Sequence, residues 1–378
     1  MNVLNVNFIL DLKSGGGTAE RTFQMSRFLA RQGMDCTVLT LDIGLTRSRV
    51  ALLEPARVVA LPCLWKRFFV PLMGWKTIIQ LVKDADVIHL MGHWSALNVL
   101  VYFATRVYRK PYVVCPAGAL PLFGRSVWLK RIFNFIVGNA IVRNASAWIA
   151  VTTGEYPQYD RYGIHASQVT VIPNGVFEDD LPETNIKEFL NRHSLPDVPT
   201  ILFMGRLNPI KGPDLLLKAF IQVRDRLPGY NLIFAGPDDG MLSELRKVTE
   251  QNGIADRVRF LGHVDGVDKS GAYRFARLLV IPSRQEAMSI VALEAGICGT
   301  PVLLTDQCGF GDVRSIDPRL EVPATAEGLA AGLINLLAKP DELQDLAPVW
   351  KNYVHKRYTW PTIGARYIQL YESILELR

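Results

Sequence analysis

The stretch IPSRQEAMSIVALEAGICGTPVLLTD, residues 281–306, reads as the end of a strand, a loop, a helix and a second strand. LLVIPS and TPVLLTD are apolar runs of strand length. Between them Ser289 is placed to cap a helix that ends at Gly296 or Gly299. Glu286 then falls in the loop at the carboxyl end of a strand, and Glu294 in the helix eight residues on. Were that spacing all helix, the two Cα atoms would lie roughly 12 Å apart at a rise of about 1.5 Å per residue. Such a separation suits two carboxylates gripping opposite ends of one elongated, hydroxyl-rich ligand. It does not suit a shared proton or a shared metal. The helix N-terminus between them offers N–H groups to an anion. Polyols at both ends with negative charge in the middle describe a nucleotide sugar. The plainer reading of the same spacing is one loop Glu and one Glu on a solvated helix face.

Outward from this stretch the same alternation continues. TILFMG, NLIFAG and VRFLG precede it as strands, with helices expected at about 213–227, 240–252, 267–276 and 289–297. The first half repeats the pattern: VLNVNFIL, CTVLTLD, VVAL, DVIHL, YVVCP, AWIAVT and VTVIPN are short strands. Helical runs lie between them, notably TAERTFQMSRFLARQG and the segments around 95–109 and 127–144. Strands that are apolar throughout, alternating with helices, predict α/β architecture with parallel sheets covered on both faces. Residues 177–199 are more polar, carry three prolines and read as the connection between two domains. The last helix, from about Pro361 to Leu375, puts Ile363, Tyr367, Tyr371 and Ile374 near one stripe.

The 378 residues suffice for two cores, and 49% hydrophobic with 21% charged residues excludes general disorder. Cys36, Cys63, Cys115, Cys298 and Cys308 are odd in number and lack a C-x-x-C pair, as expected of reduced thiols in the cytoplasm. The first residues enter VLNVNFIL without a basic leader, so no signal peptide is expected. No apolar run reaches the roughly 20 residues that span a bilayer. Residues 1–175 hold 19 Lys and Arg against 9 Asp and Glu, while residues 176–378 hold 23 against 27. One half is basic and the other mildly acidic, which points to different partners. The basic half has no nucleic-acid-binding signature, so no nucleic acid is expected.

Three constellations carry chemistry. SGGGTAERTFQ is a Gly-rich turn after the first strand, where Gly16 and Gly17 let a ligand approach the backbone. It is not G-x-G-x-x-G, so no dinucleotide cofactor is expected. FMGRLNPIKGPDLLLKAF sets Arg206 just after a strand and Lys211 five residues on, before Gly212 and a helix-opening Pro213. Two cations at a strand's carboxyl end, beside a helix N-terminus, make a diphosphate site. The alternative is two solvated surface cations. GHW at 92–94 puts His93 at the carboxyl edge of the first sheet, either facing a ligand or satisfied within the structure. His89 points into its strand, and PAGALPLFGRS at 116–126 is a loop at the same edge. No metal-ligand cluster and no nucleophile elbow is present, so no metal is expected.

SGGGTAER, VIPNGV, FMGRLNPIKGPDLLLKAF and EAMSIVALE occur together and in this order. With them the chain resembles family 4 of the retaining glycosyltransferases (glycosyl transferases group 1), which have the GT-B fold. The resemblance covers nearly the whole chain and is strongest from 170 to 310. It implies two Rossmann-like domains whose parallel sheets face a central cleft. Residues 1–175 would bind the acceptor, joined by a C-terminal helix at about 358–378, and residues 176–357 would bind the nucleotide sugar. Arg206 and Lys211 match the basic pair on the donor diphosphate, Glu286 the Glu on the transferred sugar and Glu294 the one on the ribose hydroxyls. Amides of Met288 and Ser289 would meet the phosphate, and Gly16 and Gly17 match the loop over the donor. Two departures stand out. His89-Leu90-Met91-Gly92 replaces a frequent H-x-H-G. Cys115-Pro116-Ala117-Gly118 replaces a frequent S-P-H-G, so Ala117 stands where a His beside the reacting sugar is usual, and His93 is the nearest substitute.

The resemblance therefore implies metal-independent transfer from a UDP- or GDP-sugar to an acceptor hydroxyl, the donor being a substrate and no cofactor being needed. The alternatives are an epimerase or phosphorylase on the same fold, or a donor-binding subunit without catalysis. LWKRFFVPLMGWK at 64–76 mixes Trp65, Phe68, Phe69 and Trp75 with Lys66, Arg67 and Lys76. VWLKRIFNFIVGNAIVR at 127–143 sets Lys130, Arg131 and Arg143 among bulky apolar side chains. Both suit a face lying in an anionic lipid interface, although helices packed on their own sheet would read alike. The expectation is a cytoplasmic enzyme held peripherally at the membrane. Its acceptor would be a lipid-linked saccharide in polysaccharide, lipopolysaccharide or glycolipid synthesis.

Overall fold

The computed structural model describes residues 1–122 and 126–376, with the backbone alone at 12–14. Phe123, Gly124 and Arg125 of the loop PAGALPLFGRS lie outside the described residues, as does the end of the last predicted helix. The chain divides into two compact units: Met1–Gly175 with the segment that begins at Trp360, and Val176–Thr359.

The first unit holds β1 (Asn2–Val6), β2 (Asp35–Leu41), β3 (Arg57–Leu61), β4 (Cys63–Trp65), β5 (Val70–Pro71), β6 (Val87–Met91), β7 (Tyr112–Cys115), β8 (Ala147–Ala150) and β9 (Val169–Val171). Seven of these form one parallel sheet in the order β3-β2-β1-β6-β7-β8-β9, while β4 and β5 pair as a small antiparallel ribbon. β1, β6, β7 and β8 are buried almost throughout, which is why they read as apolar runs rather than alternating ones. The helix Trp360–Glu376 belongs to this unit and buries Ile363, Tyr367, Tyr371 and Ile374. Fully buried Arg21 ties it down, donating to Tyr367 Oη at 2.5 Å, to Ile172 O at 2.6 Å and to Asn174 Oδ1 at 2.7 Å. His89 Nδ1 meets Tyr371 Oη at 2.7 Å. An unpaired buried guanidinium would be costly, so the hydrogen bonds are what make this burial tolerable.

The second unit holds β10 (Thr200–Met204), β11 (Asn231–Ala235), β12 (Val258–Gly262), β13 (Leu278–Ile281), β14 (Val302–Thr305) and β15 (Glu321–Val322), all parallel, in the order β12-β11-β10-β13-β14-β15. β15 is a sixth strand that the sequence reading lacks. Two residues with a charge among them give no apolar run to detect. Residues 177–199 also differ from a plain connector, because Ile186–His193 is a helix with Asn185 accepting from Lys187 N as its cap. Its Phe189 is buried against Gly271 of the helix Gly266–Phe275.

The segment 127–144 is helical but not one helix. Val127–Phe133 runs into a π-helical turn, Asn134–Gly138, and then into Asn139–Arg143. Such a turn inserts one residue and redirects its side chains. Here Asn134 reaches His93 Nε2 at 3.0 Å and Tyr162 Oη at 2.8 Å.

Candidate functional site

In the second unit the chain leaves β10 for β11 on one side and β13 for β14 on the other. The strand order therefore reverses between β10 and β13. Crevices for ligands form at the carboxyl ends of such strands. The loop after β10 carries Arg206 and Lys211, and the loop after β13 carries Glu286. Asn208 shapes the first loop: its Oδ1 accepts from Lys211 N at 2.9 Å and its Nδ2 donates to Asp239 Oδ2 at 2.8 Å. Gly212, with φ +68, starts the helix Pro213–Val223 and lies so close to the second loop that a Cβ would stand 2.1 Å from Pro282 O. The two loops are thereby drawn together. Lys211 Nζ donates to Glu286 Oε1 at 2.7 Å, and Ser283 Oγ donates to Glu286 Oε2 at 3.0 Å. Arg206 is part-exposed, with Nη1 3.5 Å from Asp239 Oδ2.

Beyond Glu286 the backbone is braced from the turn that follows β14. Glu286 N donates to Gln307 O at 2.9 Å, and Gly309, with φ +62, passes so near Ala287 O that a Cβ would lie 1.9 Å from it. Met288 and Ser289 follow, both buried, and lead into the helix Ile290–Cys298. Ser289 holds the N-cap position, but its hydroxyl makes no capping bond, which corrects the sequence expectation. Its Oγ is buried without a hydrogen-bond partner. A buried hydroxyl left unpaired costs about 1–3 kcal/mol, so a ligand oxygen at this helix N-terminus would relieve a standing penalty.

Glu294 lies within the helix and is 7% exposed. Tyr273 Oη donates to its Oε2 at 2.7 Å, and Lys269 Nζ pairs with its Oε1. Both partners come from the helix Gly266–Phe275. The sequence reading missed them. Their signal is a Lys and a Tyr four apart, hence on one helix face, but nothing in the sequence says that this face meets Glu294. Burial, with the charge of Glu294 second, pushes the Tyr273 hydroxyl well above its ordinary range, so it stays a donor.

At the corresponding edge of the first sheet the surroundings are different. His93 is 3% exposed, with ring contacts to Trp94, Phe133 and Tyr162 at centroid distances of 4.5, 5.5 and 5.9 Å. It donates from Nε2 to Asn134 Oδ1, which fixes that tautomer and leaves Nδ1 as the acceptor. Burial, partly offset by this hydrogen bond, holds the imidazole down at about 4. Burial and the Arg21 charge hold His89 at about 3. Both rings are neutral near pH 7. Ala117 has φ +48, an unusual conformation for a residue with a Cβ. The next amide, Gly118 N, donates to buried Glu155 Oε2 at 2.8 Å, and Val151 N donates to its Oε1 at 2.7 Å. Gly16, with φ +58 and ψ −144, kinks the start of Leu12–Arg31, and Gly17 next to it is exposed. Asn7, just past β1, anchors the helix by donating to Thr18 O and Thr22 Oγ1. Among the described residues no group of three or more His, Cys, Asp or Glu is arranged to hold a metal ion.

Comparison with known proteins agrees with this geometry at the level of family and fold. A family profile described as Glycosyl transferases group 1 matches residues 185–353, and one described as Glycosyltransferase Family 4 matches residues 15–179. D-inositol 3-phosphate glycosyltransferase 2 of Catenulispora acidiphila is 31% identical over 252 residues, 62% of this chain and 58% of that one. The chain spans about half the length of the curated relatives it matches. Among solved structures, sucrose-phosphate synthase from Thermosynechococcus elongatus superposes with TM-score 0.77 at 20% identity over 100% of both chains. Anabaena Alr3699/HepE in complex with UDP-glucose superposes with TM-score 0.79 at 19% identity, over 99% of this chain and 100% of that one. These likenesses identify the fold as GT-B.

Proposed function

We propose that this chain, which belongs to family 4 of the glycosyltransferases, moves a sugar from a nucleoside-diphosphate sugar to an acceptor hydroxyl with retention of anomeric configuration. The observation that carries the reading is the meeting of Lys211 and Glu286 beside Arg206 where the strand order reverses. A diphosphate needs fixed cations, and a hexose needs a carboxylate close by. The UDP-glucose bound to the Anabaena protein of the same fold supports a donor of this class.

Each residue then has a task. Arg206 takes diphosphate oxygens in a fork and Lys211 adds a point charge, so charge growing on the leaving group is stabilised without a metal. The amides of Met288 and Ser289 and the unpaired Ser289 hydroxyl meet the phosphate. Glu286 accepts from the transferred sugar, and Lys211 and Ser283 hold its carboxylate in place. Glu294 accepts from the ribose hydroxyls, with Tyr273 and Lys269 orienting it. The acceptor oxygen attacks the anomeric carbon on the face from which the phosphate departs. The bond from that carbon to the phosphate oxygen breaks, and the hydroxyl proton goes to the departing phosphate. No enzyme nucleophile is required. His93, neutral and fixed by Asn134, is the candidate on the acceptor side in place of the His that Ala117 replaces.

The acceptor is lipid-linked, and the protein works at the cytoplasmic face of the membrane in cell-surface polysaccharide, lipopolysaccharide or glycolipid synthesis. The exposed aromatic and basic side chains of 64–76 and 127–143 support this. No helix among the described residues is long and apolar enough to cross a membrane, and the attachment proposed here is peripheral, through those side chains. The test is titration with UDP- and GDP-sugars followed by transfer assays on lipid-linked and soluble acceptors. Donor binding with transfer to a hydroxyl is expected. Isomerised donor without an acceptor would point to an epimerase, and binding without turnover to a catalytically silent subunit. Flotation with anionic liposomes at low salt tests the membrane half, and a protein that stays unbound would favour a soluble acceptor.

A further inference from the structure

The two amphipathic segments meet in the first unit. Arg67 Nη2 donates to Ser126 Oγ at 3.1 Å, and Ala96 N donates to Phe68 O at 3.0 Å. Between them and the first turns of the helix Ala96–Tyr108 opens a cavity of about 920 Å³. That is the size of a site for an organic ligand, not of a packing defect. Its walls are apolar, with Val99, Leu100, Leu129, Ile132, Phe133 and Val137 among them. Arg67 and Lys130 are its charged lining side chains, and no carboxylate lines it among the described residues. Lys130 Nζ stands 5.3 Å from the centre of the Trp94 ring, and the Arg67 guanidinium 5.5 Å from that of Phe68. Outside the cavity Trp128 and Phe135 are 64% and 88% exposed, and Ile136, which lines it, is 71% exposed. Large apolar side chains left exposed beside a cavity fit a binding surface. The cavity begins at Trp94 and Ser95, next to His93 at the carboxyl edge of the first sheet.

The lining selects the occupant. Apolar walls leave a free saccharide without hydrogen-bond partners, and a neutral hydrocarbon has no use for two cations. A hydrocarbon chain that ends in an anion satisfies both. We propose that this cavity receives the single hydrocarbon chain of a phosphate-bearing amphiphile, with Arg67 and Lys130 on its phosphate. The proposal rests on the reading of the acceptor as lipid-linked and deepens it: the chain is drawn out of the bilayer beside the acceptor edge, not left within it.

Calorimetric titration of the full chain with octyl, decyl and dodecyl phosphate, each below its micelle concentration, reads the site directly. One equivalent is expected to bind, roughly fourfold tighter per added methylene, while inorganic phosphate alone gives no signal. Leu129→Trp should weaken dodecyl phosphate at least tenfold. Its helix Val127–Phe133 contains no buried residue, so the fold should tolerate the change. A second variant, Arg67→Gln with Lys130→Gln, should lose the preference for dodecyl phosphate over uncharged dodecyl maltoside. Affinity independent of chain length, uptake of many equivalents, or binding unchanged in both variants would overturn the proposal. Neither donor nor transfer enters this measurement. The cavity can therefore fail while sugar transfer stands, and a protein that binds no nucleoside diphosphate would sink the transfer reading with the amphiphile titration intact.

Discussion

The two sheets reverse strand order in the same way, between β1 and β6 in one and between β10 and β13 in the other, yet they hold opposite chemistry at that point. In the second unit the loops bring Arg206, Lys211, Glu286 and Asp239 into ion pairs that a charged ligand can enter. In the first unit Phe8 stacks on Phe69 at 4.1 Å, His93 sits in an aromatic box, and an apolar cavity lies alongside. Topology fixes where a ligand can bind, and side chains decide which ligand it is. One edge presents paired charges, and the other is largely apolar.

The sharpest way to break that contrast is to remove the cations. Arg206→Ala and Lys211→Ala are each expected to slow transfer by roughly 2–4 kcal/mol in transition-state terms and to weaken nucleoside-diphosphate binding. Normal kinetics in both would remove the diphosphate assignment. Glu286→Ala should lower kcat more than donor affinity, whereas Glu294→Ala should mainly raise the Kd of the nucleotide.

Acid should distinguish the units next. His89 and His93 are held neutral in the folded state, at about 3 and about 4 against a usual value of 6.5. Between pH 6.5 and pH 4 the unfolded chain binds protons that the folded chain refuses. Stability is therefore full above about 6.5 and falls as pH drops, by roughly 3 kcal/mol for His93 alone. Thermal melts followed by hydrogen exchange should show the first unit losing protection as pH falls from 6.5 to 4, and His93→Asn should remove about half of that slope, His89 keeping the rest. The same substitution tests the acceptor-side role, because transfer unchanged at pH 7 would leave His93 with structure only.

A smaller effect is expected at Gly212→Ala. The added Cβ would stand 2.1 Å from Pro282 O at a positive φ, so the two donor loops must part, at a cost of roughly 1–3 kcal/mol. A lowered Tm together with weaker donor binding is the expected pair, and weaker binding at unchanged Tm would mean that the loops yield locally. The smallest effect is expected from chelation. If fixed cations carry the diphosphate, EDTA should leave transfer intact, whereas loss restored by Mg²⁺ would contradict that reading.

What was legible in the sequence follows from what is local. Buried parallel strands announce themselves as apolar runs, and a Pro after a Gly announces a helix start, so Arg206, Lys211 and Glu286 could be assigned to strand ends. The Lys211–Glu286 contact joins residues 75 apart and depends on Gly212 letting two backbones touch, which no spacing rule reports. Glu294 read as a ligand group on a helix face, but its partners Lys269 and Tyr273 lie on another helix. Ser289 was legible as a cap by residue type, while the orientation of its hydroxyl was not. β15 was too short and too polar to register. The aromatic and basic segments were visible as composition, but the cavity they line joins Arg67 and Phe68 to Ile136 and Val137 of the π turn Asn134–Gly138, a pairing of distant residues that composition does not report.

The helix Trp360–Glu376 sets the order in which this protein can be finished. It supplies Trp360, Ile363, Tyr367 and Tyr371 to the core of a unit whose other residues are made first. Until those rings emerge from the ribosome, Arg21 lacks its Tyr367 partner and His89 its Tyr371 partner, and the apolar face that the helix covers stays open to water. The unit in between, Val176–Thr359, is an insertion with a sheet of its own and can close while the earlier sheet waits. Synthesis therefore runs against completion: the half that is translated first is the last to be sealed. Throughout that interval its exposed core is the surface that a chaperone would have to guard.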